Sequence, residues 1–211
     1  MKFKSLLIFV SSIAFLSGCS EQYTPHKDFS YDDFVNYFIE ENKTLGTVDV
    51  LAVGDSLTYH YDFGSYFKGL NIVNHGISGD TTTGLLNHME ASIYDVDTKV
   101  ITLWIGINNL ADMMNDYEYI LSGIKEHKPN VKTILISLTP TRDYASYLNE
   151  MIVERNEEIK VLANKYSYTY LDIHSKLLDS SGELDSKYSL DGLHLSKVGY
   201  KEITTHLKAV I

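Results

Sequence analysis

Val48-Asp49-Val50-Leu51-Ala52-Val53-Gly54-Asp55-Ser56-Leu57 is the stretch on which the fold turns. Residues 48–53 are a short, mostly apolar run of strand length that stops at Gly54, and Ser56 opens a helical pattern. A run this apolar suits a strand covered on both faces, as in a parallel sheet. The same signature recurs along the chain. Leu70 to Asn74 ends at Gly76, Val100 to Ile105 at Gly106 and Val131 to Leu138 near Pro140, and Tyr168 to Ile173 is a weaker fifth run. Helical spacings lie between and around them: Tyr31, Phe34, Val35 and Phe38; Leu148, Ile152, Ile159, Leu162, Ala163 and Tyr166; and Tyr200, Ile203, Leu207 and Val210. Ser30 with Asp33 has capping-box spacing before the first, and Ser196 is a candidate cap for the last. Strands alternating with helices predict an α/β fold with a mainly parallel five-stranded sheet. No internal repeat or second domain interrupts residues 30–211.

Upstream of that domain the sequence reads as an address. Lys2 and Lys4 precede an apolar stretch, Leu6 to Leu16. It is shorter than the roughly 20 residues a bilayer-spanning helix needs, and suits a secretory signal. It ends in Leu16-Ser17-Gly18-Cys19, which resembles a bacterial lipobox, and Cys19 is the chain's one cysteine. Residues 1–18 are thus expected to be a signal peptide, Cys19 a lipidation site, and residues 19–29 a polar tether. The expected location is the bacterial cell envelope. Ser20 is not the Asp that retains a Gram-negative lipoprotein in the inner membrane, so the outer membrane is implied if the source is Gram-negative.

Composition narrows the function. The 211 residues carry 18 Lys+Arg against 28 Asp+Glu, a net charge of −10. Nucleic acid and anionic surfaces attract clustered Lys/Arg, so neither is the expected partner. One cysteine excludes a disulfide framework and a cysteine-based zinc site. There is no H-E-x-x-H, Walker loop or G-x-G-x-x-G, the patterns of zinc hydrolases and nucleotide-binding folds.

Parallel sheets bind ligands beyond the carboxyl ends of their strands. Four strand ends carry polar strings: Gly54-Asp55-Ser56-Leu57, Asn74-His75-Gly76-Ile77-Ser78-Gly79-Asp80, Gly106-Ile107-Asn108-Asn109, and, in the long loop before the last helix, Asp191-Gly192-Leu193-His194. Ester hydrolysis needs a nucleophile, a base and donors for the oxyanion. Ser56, at a helix start with an orphan N–H, is the candidate nucleophile. His194 is the candidate base, with Asp191 three residues earlier to set its tautomer. Gly76 N–H and the Asn108 amide are candidate oxyanion donors. Each string alone suits a turn; Asp80, for instance, reads as the cap of the following helix.

Together the four strings resemble the SGNH (GDSL) hydrolase family over roughly residues 47–211. Ser56 falls on its nucleophile, Gly76 and Asn108 on its oxyanion glycine and asparagine, and Asp191 and His194 on its acid and base. Asn109 stands where many members have Asp. The resemblance implies a flavodoxin-like three-layer α/β/α sandwich and a serine esterase that needs no metal or cofactor. It also implies an oxyanion hole built from Ser56 N–H, Gly76 N–H and the Asn108 amide. Within the family the expected substrate is a short acyl or acetyl ester of a glycan or small molecule. A lysophospholipase or thioesterase of the same fold is the alternative, and a non-catalytic envelope binding lipoprotein is a reading of another class. Tyr59, Tyr61, Trp104, Arg142, Tyr144 and Tyr188 fall near expected loops, without a pocket to assign them to.

Overall fold

The computed structural model describes residues 26–211; the expected signal peptide, Cys19 and most of the expected tether lie outside the described residues. Five strands, β1 (Val48–Gly54), β2 (Ile72–Gly76), β3 (Thr98–Trp104), β4 (Lys132–Ile136) and β5 (Thr169–Leu171), form one sheet of order β2-β1-β3-β4-β5. Every pairing is parallel. The helices are α1 (Tyr31–Asn42), α2 (Ser56–Tyr59), α3 (Phe63–Tyr66), α4 (Thr82–Met89), α5 (Met114–His127), α6 (Asn149–Tyr166), α7 (His174–Leu177) and α8 (Lys197–Leu207).

Strand periodicity divides the core into the two halves of a three-layer sandwich. Leu51, Val53, Ile101, Leu103 and Leu135 pack with Leu85 of α4, Ile120 and Ile124 of α5, and Ile152 and Ile159 of α6. Their neighbours Val50, Ala52, Val100, Trp104, Ile134 and Ile136 pack on the opposite face with Leu57, Leu177 and the α8 residues Tyr200, Ile203 and Leu207. A third cluster, Phe34, Phe38, Tyr59, Ile77 and Ala91, seats α1 beside the end of β2. The expected α/β/α architecture is thus the observed one. The order reverses direction between β1 and β3, and the crevice outside their carboxyl ends is where such sheets bind ligands.

Local detail departs from the sequence reading at several points: β3 begins two residues earlier than expected, and β4 and β5 each end two residues earlier. β2 begins two residues later than expected and runs through Asn74 and His75 to Gly76. Leu70 is 41% exposed, whereas His75 is fully buried between Ser92 O and Glu41, so polarity misplaced the strand. The last residues of the expected tether are ordered: Phe29 N–H donates to His26 O, and the His26 ring stacks on Phe29. Helix α4 is capped by Thr81, not Asp80. The Ser30–Asp33 capping box and the Ser196 cap are both present as expected.

Candidate active site

Ser56 is the first residue of α2, directly after β1. Asp55 caps that helix, its Oδ1 accepting from Leu57 N–H at 3.0 Å. A helix this short still leaves its first N–H groups without intrahelical partners, and among the described residues Ser56 N–H donates no hydrogen bond. Asp55 is fully buried, and burial pushes its pKa up to about 7 against the opposing pull of the Leu57, Gly106 and Ile107 N–H groups. The bond that ties the turn after β1 to the end of β3 is a backbone one, Asp55 N–H to Trp104 O at 3.2 Å, while Asp55 Oδ2 is buried with no hydrogen-bond partner among the described residues.

His194 closes on Ser56 from the far end of the sequence. Its Nε2 lies 3.1 Å from Ser56 Oγ, and its Nδ1 lies 2.8 Å from Asp191 Oδ2. A carboxylate only accepts, so Nδ1 carries the proton and Nε2 is left to accept from the serine hydroxyl. Asp191 Oδ1 also accepts the N–H groups of Leu193 and His194, at 3.0 and 2.8 Å. Partial burial alone would raise the Asp191 pKa. The hydrogen bonds from the His194 ring and from these two N–H groups outweigh it and hold the carboxylate below its ordinary range. The loop is held in turn by Arg142 N–H, which donates to Gly192 O at 2.8 Å.

The oxyanion side corrects one expectation. Gly76 N–H donates to Asn74 Oδ1 at 2.9 Å, so it is already paired. Gly76 is glycine for a different reason: it is buried at the end of β2, where a Cβ would come within 2.3 Å of Tyr59 N. Three residues on, Ile77–Asp80 make a turn closed by Asp80 N–H to Ile77 O. Gly79 takes its positive-φ position at +81°, with open space around it and no partner for its N–H among the described residues. A turn with glycine at its third position is visible in the sequence Ile77-Ser78-Gly79-Asp80. What the sequence hides is that Asn74 occupies the Gly76 N–H.

Asn108 is exposed, and its amide donates to Asp80 O at 2.8 Å, which aims the group and leaves its second N–H available. Asn109 ties the same loop to α4: its Nδ2 donates to Thr82 Oγ1 at 2.8 Å, and Thr82 N–H donates to its Oδ1 at 3.2 Å. An aspartate there could accept but not donate, which accounts for the asparagine. Of the six loop residues flagged by sequence, Tyr61, Trp104 and Tyr188 are core. Arg142 braces Leu184 O, Tyr144 stands exposed, and Tyr59 lines a cleft with His60, Ile77 and Ser78.

Together these groups provide a hydroxyl, a bare imidazole nitrogen oriented by a carboxylate, and three donors from neighbouring strand ends. That set can run acyl transfer from an ester. Among the described residues no group of three or more His, Cys, Asp and Glu is placed to hold a metal ion.

The comparisons point the same way. A model of the GDSL-like lipase/acylhydrolase family matches residues 52–202. The platelet-activating factor acetylhydrolase IB subunit alpha2 of Rattus norvegicus is 31% identical over 173 residues, covering 77% of this chain and 76% of the relative. A solved structure from Streptococcus pneumonia superposes with a TM-score of 0.79 at 28% identity, over 85% of this chain and 91% of that one. A variant of an acetyl xylan esterase from Geobacillus stearothermophilus shares the fold at a TM-score of 0.62 and 18% identity, over 77% and 93% of the two chains.

Proposed function

We infer the function from one premise: the chain belongs to the GDSL-like lipase/acylhydrolase family and is a serine ester hydrolase. On that premise Ser56 is the nucleophile. The observation that carries this reading is the relay from Ser56 Oγ through His194 to Asp191, at 3.1 and 2.8 Å, on a strand end that is also a helix start. Ser56 Oγ attacks the ester carbonyl as its proton passes to His194 Nε2. The carbonyl oxygen takes up negative charge and is met by the N–H groups of Ser56 and Gly79 and the Asn108 amide. Collapse of the tetrahedral intermediate breaks the bond to the alcohol oxygen, which takes the proton back from His194. Water, deprotonated by the same nitrogen, then attacks the acyl-enzyme and frees the carboxylic acid.

The acyl group in this reading is short, acetyl above all. The relative at 31% identity is named an acetylhydrolase. A long chain gains about 0.8 kcal/mol per buried CH₂ and needs a continuous apolar groove. A groove of about 430 Å³ with an apolar floor of Met114, Val161 and Leu162 does exist, but it lies on α5 and α6 and is flanked by Glu118, Glu157 and Glu158. A series of 4-nitrophenyl esters tests the point: kcat/KM is expected to fall from acetyl to octanoyl. A steady rise with chain length would replace this reading with a lysophospholipase or thioesterase. A phosphonate trapped on Ser56 should place its oxygen near 2.7–3.1 Å from Gly79 N; an oxygen on Gly76 N would overturn the oxyanion assignment.

In the same reading Cys19 carries lipid and holds the domain at an envelope membrane. The apolar stretch and Leu16-Ser17-Gly18-Cys19 support it. An acidic domain gains nothing from a polybasic patch, so more than one acyl chain is needed for a stable anchor. Cys19→Ser should shift the protein out of the membrane fraction or leave an uncut precursor; a soluble wild type cut elsewhere would sink the anchor.

A further inference from the structure

We propose that the ring-lined cleft between the N-terminal segment and the ends of α2 and β2 is the subsite for the alcohol part of the ester, and that it takes a pyranose ring. This rests on the assignment of Ser56 and His194 above.

Position comes first. The cleft encloses about 270 Å³ between Phe29, Tyr31 and Phe34 on one side and Tyr59, His60 and Ser78 on the other. Ser78 adjoins the oxyanion glycine, and the His60 ring meets the His194 ring edge-on at 5.7 Å. The leaving oxygen must come within hydrogen-bond reach of His194 to be protonated. A group attached to that oxygen and running along the His194–His60 side meets the cleft at His60, which lines it.

Its lining argues for a sugar. Phe34 is spent on packing, edge-on to Tyr59 at 5.5 Å. Phe29 packs on His26, Phe34 and Tyr37, and Tyr31 meets His88 edge-on, yet the two remain 38% and 42% exposed and line the cleft. Burial, reinforced by the charges of Asp80 and Asp32, pushes the Tyr31 pKa up to about 12, so its hydroxyl stays a neutral donor. Rings beside hydroxyl, imidazole and ammonium groups match a pyranose, with its C–H faces and hydroxyl edges. The volume is below that of pockets that enclose drug-sized ligands and fits a single ring rather than a chain. A quaternary ammonium would also suit aromatic faces; Lys27 opposes it while the charges of Asp32 and Asp80 beside Tyr31 favour it, so acetylcholine is the control in the test.

The experiment compares an O-acetylated methyl xylopyranoside with ethyl acetate, using the full chain and its Phe29→Ala and Tyr31→Ala variants. Each substitution should lower the pyranoside-to-ethyl ratio of kcat/KM about five- to tenfold, through KM. An unchanged ratio overturns the subsite, as does a selective loss on acetylcholine instead. Hydrolysis that survives Ser56→Ala marks failure of the catalytic assignment, a separate result. Binding of methyl xylopyranoside to the Ser56→Ala chain, read by ligand-observed NMR, tests the cleft independently of acyl preference. That signal should weaken with Phe29→Ala, and a signal that stays the same counts against the proposal.

Discussion

Among the described residues two serine–histidine–aspartate relays occur, and they differ in what surrounds them rather than in composition. In one, Ser56 Oγ lies 3.1 Å from His194 Nε2 and Asp191 Oδ2 lies 2.8 Å from Nδ1. In the other, Ser92 Oγ lies 2.6 Å from His88 Nδ1 and Asp80 Oδ2 lies 3.0 Å from Nε2. The second relay is wholly buried: Ser92, His88 and Asp80 are 0%, 5% and 3% exposed. Ser92 sits inside the π-turn that follows α4, at a kink where His88 leaves helical geometry. No substrate carbonyl can reach it. The first relay stands at a strand end, beside orphan N–H groups and an open turn. Hydrogen-bond chemistry alone is common to both; access and a preorganised oxyanion site separate a catalyst from a brace. The buried relay serves the open one, since Asp80 also offers its carbonyl to the Asn108 amide.

The sharpest way to break this comparison is to delete each hydroxyl. Ser56→Ala should lower kcat by about 10⁴-fold or more and abolish labelling by a fluorophosphonate. Ser92→Ala should keep the label and lose less than about tenfold in kcat. It should also lower Tm, because an unpaired buried group costs about 1–3 kcal/mol. Labelling that survives Ser56→Ala, or that disappears with Ser92→Ala in a folded protein, would reverse the roles assigned here.

The open relay was legible in the sequence and the buried one was not, for a physical reason. Strand-end residues follow apolar runs and glycines, so Ser56, Asn108 and the Asp191–His194 pair announce themselves by position. Parallel order follows from the same runs. His88 and Ser92 are four residues apart on one helical stretch and read as ordinary surface spacing; only the kink at His88 turns them inward. The choice between Gly76 and Gly79 was hidden similarly. It depends on where the Asn74 side chain points and on β2 continuing two residues past its apolar part, a register that polarity obscures when His75 is buried with partners.

A smaller effect separates the two asparagines that meet at the oxyanion side. Asn108 keeps a free amide N–H, whereas both ends of the Asn109 amide are spent on Thr82. Asn108→Ala should cost about 10²–10³ in kcat, the usual price of one oxyanion donor, with little change in Tm. Asn109→Ala should act mainly on Tm, by loosening the tie to α4. Equal losses of kcat that track stability at both positions would make Asn108 a loop-former like its neighbour.

The smallest expected effect on turnover comes from Asp55, and it shows in stability instead. Its pKa is raised to about 7 by burial, against about 3.9 in an unfolded chain. Between those values the folded protein keeps a proton that the unfolded chain has released. Stability from this group is therefore full below about pH 4 and is lost as pH rises through about 7. Asp191 acts with the opposite sign and in another window: its lowered pKa gives stability that disappears only as pH falls below the ordinary carboxylate range. His174, whose pKa is lowered by burial, also opposes Asp55 in the upper part of that range. A wild-type curve alone therefore mixes the terms, and the comparison with Asp55→Asn isolates one. Asparagine keeps the cap on α2, since it accepts from Leu57 N–H as aspartate does. The difference in Tm between Asp55→Asn and wild type should move in the variant's favour from about pH 4 to about pH 7 and level off above it. A difference that stays flat across that range would mean that Asp55 is ionised throughout, with the pull of the N–H groups around it outweighing burial.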